Sequence, residues 1–296
     1  MSAQEYWTVT NGARQLLTAW EEPIGRLRLI AHNEAAVRDY PPATTVPAGV
    51  EGLSGSTYGP WLCGRASLPP GHYHPRIQRE LGPAGLPAYQ KTPPIAQQLS
   101  REVAAARQSA SNLFVQLDEL FRHVHPAPEN GSSYGDRIRS LLILACTETE
   151  SAWKAVGRAN GMTKSILSTK DYVRLARPMR LAEWSLRLSS FPEYPPLRPF
   201  DGWDAATPTQ SLPWYDAYNA AKHDRENALR RATLGHVIAA MAGVHVMLAA
   251  QFGCSSASTL PASPFAVDTS PEWDVAEFYV PPLPGANSWT ARALFV

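Results

Sequence analysis

Residues 214–236 hold the chain's densest set of side chains able to move a proton beside an anion: Trp214-Tyr215-Asp216-Ala217-Tyr218-Asn219-Ala220-Ala221-Lys222-His223-Asp224-Arg225-Glu226, then Arg230, Arg231 and His236. Projected at about 100° per residue on one helix, Asn219, His223, Glu226 and Arg230 fall on the stripe that Leu234, Val237, Ile238, Met241, Val244 and Leu248 continue. An apolar stripe that turns polar without changing direction lines a cleft or carries a buried network. The catalytic assignment follows from residue chemistry. Histidine titrates near neutrality, so His223 is the candidate general acid or base. A guanidinium matches phosphate or carboxylate, so Arg230 stabilises an anion, with Lys222 and Arg225 as substrate-binding groups. Glu148 or Glu226 orients the imidazole, and Asn219 completes the column. The competing reading is a non-catalytic polar network that fixes helix register.

Three helical patterns must position these groups. The first, 94–124, repeats Leu99, Val103, Ala106, Ala110, Leu113, Leu117 and Leu120 at three- and four-residue steps. The second, 134–159, presents Ile138, Leu141, Leu142, Ala145, Thr149 and Trp153, with Asn160-Gly161 as its stop. On it Glu148 sits at the edge of the apolar face, where a carboxylate needs a partner. The expected partner is His223 or Arg230. The third, 213–253, is read as one long helix with a bend near 226–231. Leu113, Leu117, Leu141, Ala145, Ile238 and Met241 are the expected core.

Between these helices, 170–177 reads as a short helix and 183–188 as a strand. The proline-rich loop 189–213 carries Phe200 and Trp203, which are expected to pack down. Short strands are expected at 6–10, 26–30, 56–62 and 275–280, pairing with each other and with 183–188. The fold class is therefore mainly α: a helical bundle at 94–253, an irregular, short-stranded N-terminal region at 1–93, and an extended C-terminal segment at 254–296.

Composition narrows the function classes. The net charge of +1 gives no global basic bias towards nucleic acid or membrane. Cys63, Cys146 and Cys254 are far apart, so neither a disulfide framework nor a zinc cluster is indicated, and a reducing cytoplasm is the expected compartment. His72-Tyr73-His74 has strand spacing but no carboxylate nearby, so no metal site is assigned. No glycine-rich phosphate loop is present, and no cofactor is expected. The start of the chain lacks a signal-peptide pattern, and Val237–Phe252, interrupted by His245, reads as a buried helix rather than a membrane span.

A helix bearing Tyr218-Asn219-x-x-Lys222-His223-Asp224-Arg225, after one bearing Thr147-Glu148-x-Glu150, resembles uncharacterised bacterial proteins with a HEPN-like bundle. The resemblance covers at most residues 94–253. It implies a compact bundle, dimerisation, and metal-independent RNA cleavage or RNA binding in a bacterial stress, toxin–antitoxin or phage-defence setting. The partners it allows are RNA, a partner protein or antitoxin, and a second copy of the chain. The superfamily's Arg-x4–6-His signature is reversed around His223. It occurs literally at Arg231-Ala232-Thr233-Leu234-Gly235-His236, which makes Arg231 and His236 the alternative catalytic pair, although the helical projection puts His236 opposite the apolar stripe.

Overall fold

The computed structural model describes residues 5–11, 16–21, 27–31, 37–39, 45, 61–79, 100–224, 228–260, 262–283, 286 and 288–295. Helices dominate over short strands, in two compact units. One unit comprises residues 1–75, 79–95 and 272–292, and the other residues 76–78, 96–271 and 293–296.

The first unit is built on a five-stranded antiparallel sheet in the order β4-β3-β2-β1-β5 (β1 Tyr6–Asn11, β2 Leu16–Glu21, β3 Leu27–Ala31, β4 Val37–Asp39, β5 Trp61–Arg65). Its central strands bury Thr8, Val9, Thr18 and Ala19. The expected strand at 275–280 does not form. Residues 275–277 make a 3-10 turn, because Asp274 accepts from the Ala276 amide at 2.8 Å and Glu277 accepts from the Asp274 amide at 3.1 Å. That reciprocal cap satisfies locally the donors a strand would need to pair. Among the described residues none of the expected strands pairs with 183–188; residues 56–60 of one expected strand, and 94–99 of the first expected helix, lie outside the described residues. Here β6 (His72–Tyr73) runs parallel to a two-residue strand at Thr290–Ala291.

The second unit carries α1 (Ser100–Phe121), α2 (Asp136–Ala159), α3 (Thr169–Tyr172), β7 (Ser185–Leu188), α4 (Pro213–His223), α5 (Leu234–Phe252), α6 (Cys254–Ser258) and β8 (Phe265–Thr269); the 290–291 strand of the first unit is β9. β7 pairs antiparallel with β8. α1, α2 and α4 all pack on α5, whose residues from Ala240 to Phe252 are buried without exception. By length and composition α5 could cross a membrane, but an apolar helix enclosed on all sides is a core helix. The six expected core residues, Leu113, Leu117, Leu141, Ala145, Ile238 and Met241, are all buried.

The single helix expected over 213–253 is not observed. α4 ends at His223, a 3-10 turn spans Leu229–Arg231, and α5 begins anew after Thr233. Thr233 Oγ1 accepts from the His236 amide at 3.3 Å, while the Leu234 and Gly235 amides donate to Ser133 and Gly131 carbonyls at 2.8 and 2.9 Å. The first N–H groups of α5 are therefore spent on a cap and on the 131–133 loop, and a new helix starts there.

α2 stops where expected. Gly161 takes φ +96°, Met162 N donates to Gly157 O at 2.9 Å, and Gly161 N donates to Arg158 O at 3.3 Å, a Schellman ending. The Phe295 amide donates to Asn160 O at 2.9 Å, and a Cβ on Gly161 would collide with Phe295 O. Gly161→Ala should therefore release residues 293–295. Amide exchange at Phe295 should accelerate, and unchanged protection would contradict this contact.

His245, in the middle of α5, is wholly buried. Its ring packs against Phe114 and Phe265, and Nδ1 lies 3.0 Å from Ser263 Oγ. Desolvation lowers its pKa from 6.5 to about 4. Above pH 6.5 the ring is neutral in both folded and unfolded chains. As pH falls from 6.5 towards 4, the unfolded chain takes up the proton first, and stability is lost. The whole contribution is about 3 kcal/mol. Between pH 7 and pH 4 the unfolding free energy of wild type, from denaturant titration, should fall by about that much more than that of His245→Gln. Parallel loss in both proteins would contradict this assignment.

Candidate functional site

α4 starts with Pro213 in its first turn, and it buries Trp214, Tyr215, Ala217, Tyr218 and Ala221. These five define its inward face. Asp216, Asn219 and His223 lie on the other side, at helical steps of three and four. The sequence expectation placed Asn219 and His223 on the core stripe, and that is corrected here: the break at 224–233 resets the helical phase between α4 and α5. Asn219 is half-buried, and His223 is exposed as the last residue of α4. Arg225 and Glu226 lie outside the described residues.

Glu148 is also not where it was expected. Its carboxylate accepts from Ser109 Oγ on α1 at 2.6 Å and borders a small crevice lined by Ala106, Ala110, Thr149, Met247 and Gln251. It therefore turns to α1 and α5 rather than to His223 or Arg230. The carboxylate on the α4 side is Glu150, whose charge raises the Tyr215 hydroxyl pKa further, after burial has already raised it. The apolar face of α2 extends to Cys146 and Gly157, wider than the period suggested, so Glu148 and Glu150 sit at opposite edges of it.

Lys222 donates to Tyr218 Oη at 2.9 Å and lies 5.1 Å from that ring's centroid. The hydrogen bond to Tyr218 is the main cause of its raised pKa. Arg139 reaches from α2 to the end of α4, donating Nε and Nη2 to Ala221 O at 2.9 and 2.8 Å, and so caps the helix C-terminus.

The residues the structure does bring together are Asp216, Arg231 and His236. Arg231 Nη2 forms an ion pair with Asp216 Oδ2 across the turn. His236 Nδ1 lies 2.8 Å from Arg231 O. A carbonyl only accepts, so Nδ1 carries the hydrogen and the neutral ring presents an unprotonated Nε2. His236 is half-buried and Arg231 exposed. Arg231 therefore meets α4 on the face that carries Asn219, one turn beyond Asp216, and His223, two turns beyond, and His236 is joined to it through the Arg231 carbonyl. Arg230 is exposed, with its guanidinium 5.7 Å over the Tyr134 ring. Among the described residues, no group of three or more His, Cys, Asp or Glu side chains is arranged to hold a metal ion.

Sequence reasoning missed Asp216 and Tyr134 as members of this cluster. Asp216 lies 15 residues from Arg231, and a chain reversal joins them, so no local spacing announces the pair. Tyr134 is tied to the turn by a backbone bridge to Thr233, which also has no sequence signature.

No family model, curated protein or solved structure matches this chain.

Proposed function

We propose that the chain is a HEPN-like RNA-cleaving protein of a bacterial stress or defence type, with α1, α2, α4 and α5 as its helical bundle and Arg231 and His236 as its catalytic pair. The observation that carries the reading is the chain of contacts Asp216–Arg231–His236, which fixes the imidazole tautomer and leaves Nε2 as a base. In the reaction, a ribose 2′-hydroxyl attacks the adjacent phosphorus as His236 Nε2 takes its proton. Arg231 stabilises the charge gathered on the equatorial oxygens, and the departing 5′-oxygen takes a proton from water. One N–H of Arg231 is engaged by Asp216, which leaves others for the phosphate. Asn219 and His223 extend the polar face along which the strand would run, and Lys222, exposed beside it, adds a positive charge. Dimerisation and a neutralising partner protein in the cytoplasm belong to the same reading.

The test is incubation of the purified protein with single-stranded RNA in chelator. Products ending in 2′,3′-cyclic phosphate and 5′-hydroxyl are expected, and 5′-phosphate ends would contradict the mechanism.

A second reading, a non-catalytic interaction or structural protein, is favoured by the partners these polar groups already have within the chain: Asp216 for Arg231, Ser109 for Glu148 and Tyr218 for Lys222. On that reading Asp216→Asn alters only stability. The pair is partly solvent-exposed, so the effect stays within about 1 kcal/mol.

A further inference from the structure

We infer that Tyr134 and Arg230 form a stacking shelf for an unpaired nucleobase beside the Arg231/His236 pair. The placement beside a cleavable phosphate rests on the proposed function. Tyr134 lies just before α2 with 46% of its surface exposed, although it is a large aromatic residue. Its backbone is nevertheless fixed. It bridges Thr233, and the neighbouring Ser133 carbonyl accepts from the Leu234 amide at 2.8 Å. An exposed ring on a pinned backbone loses little entropy on binding. Arg230 lies 5.7 Å from the ring centroid and forms no ion pair among the described residues. The next residue is Arg231, whose carbonyl holds His236.

An exposed ring, an arginine that lies over it and forms no ion pair among the described residues, and the candidate cleaving pair therefore meet around one chain reversal. A flat aromatic base stacks on tyrosine whatever its sequence, and its phosphate meets the two adjacent arginines. A base held within a duplex is already stacked and does not offer its face, so the shelf selects single-stranded RNA.

The experiment uses the full chain carrying His236→Ala, which keeps the RNA intact, and a short single-stranded RNA containing one 2-aminopurine. Stacking on Tyr134 should quench the fluorescence. Tyr134→Leu, added to His236→Ala, should abolish the quenching and weaken binding roughly tenfold, while Tyr134→Phe should preserve both. The corresponding duplex should bind more weakly than the single strand. No quenching, equal binding by Tyr134→Leu, or equal affinity for duplex would overturn the shelf. If unmodified protein still cleaves RNA under those outcomes, the cleavage reading survives alone. Quenching that depends on Tyr134, in a protein that never cleaves, would retain the shelf and remove the cleavage reading.

Discussion

Trp153→Ala is expected to destabilise the helical unit by about 3–5 kcal/mol, a large part of the stability of a typical domain. Trp153 is fully buried at the centre of an aromatic cluster drawn from four segments. Trp203 stacks on it at 4.7 Å, Tyr215 lies at 5.3 Å, Tyr172 at 5.6 Å, and Phe200 and Trp214 at 6.1 Å. The loop 189–212 is held on the cluster by indole donors: Trp203 Nε1 to Pro208 O at 2.9 Å and Trp214 Nε1 to Pro199 O at 2.7 Å. Trp153 Nε1 itself is buried without a hydrogen-bond partner among the described residues. Trp153→Phe should therefore cost far less than Trp153→Ala, because it keeps most of the ring and removes an unsatisfied donor. Denaturant unfolding of the two variants checks both statements. Equal losses would show that the indole N–H matters and that the packing account is wrong.

His236→Ala is expected to lower RNA cleavage by about 10²–10⁴-fold, the usual range for a general base. The fold should tolerate the change. His236 is half-buried, and the one ring hydrogen bond seen, to Arg231 O, contributes about 1 kcal/mol. The α5 cap survives as well, since it uses the His236 backbone amide and not the ring. A loss of cleavage with a nearly unchanged melting temperature therefore separates chemistry from stability.

How much of this was legible in the sequence depends on how local the determinant is. Leu113, Leu141 and Ile238 announce themselves by helical period, and burial followed. Asn160-Gly161 ends α2 through backbone geometry that glycine alone allows easily, and it did so where expected. The break before α5 had a visible signal, Thr233 ahead of an apolar run, but the apolar period continued across it and pointed to one helix. That choice carried the site with it, because a reset of phase moves Asn219 and His223 from the inner to the outer face of α4. β2 was missed because Leu16-Leu17-Thr18-Ala19-Trp20 does not alternate. Glu148 was paired wrongly because the period located the apolar face of α2 but not its width. The contact between Asp216 and Arg231 depends on a chain reversal whose geometry the sequence does not encode at short range.

The most direct test of the central claim measures RNA cleavage in chelator by wild type, His236→Ala and His223→Ala side by side, with melting temperatures for each. Wild type should cleave, His223→Ala should retain most activity, His236→Ala should lose nearly all of it, and the three melting temperatures should be closely similar. Loss in His223→Ala with activity kept in His236→Ala would contradict that claim, and so would an inactive wild type whose Asp216, Arg231 and His236 variants change stability alone.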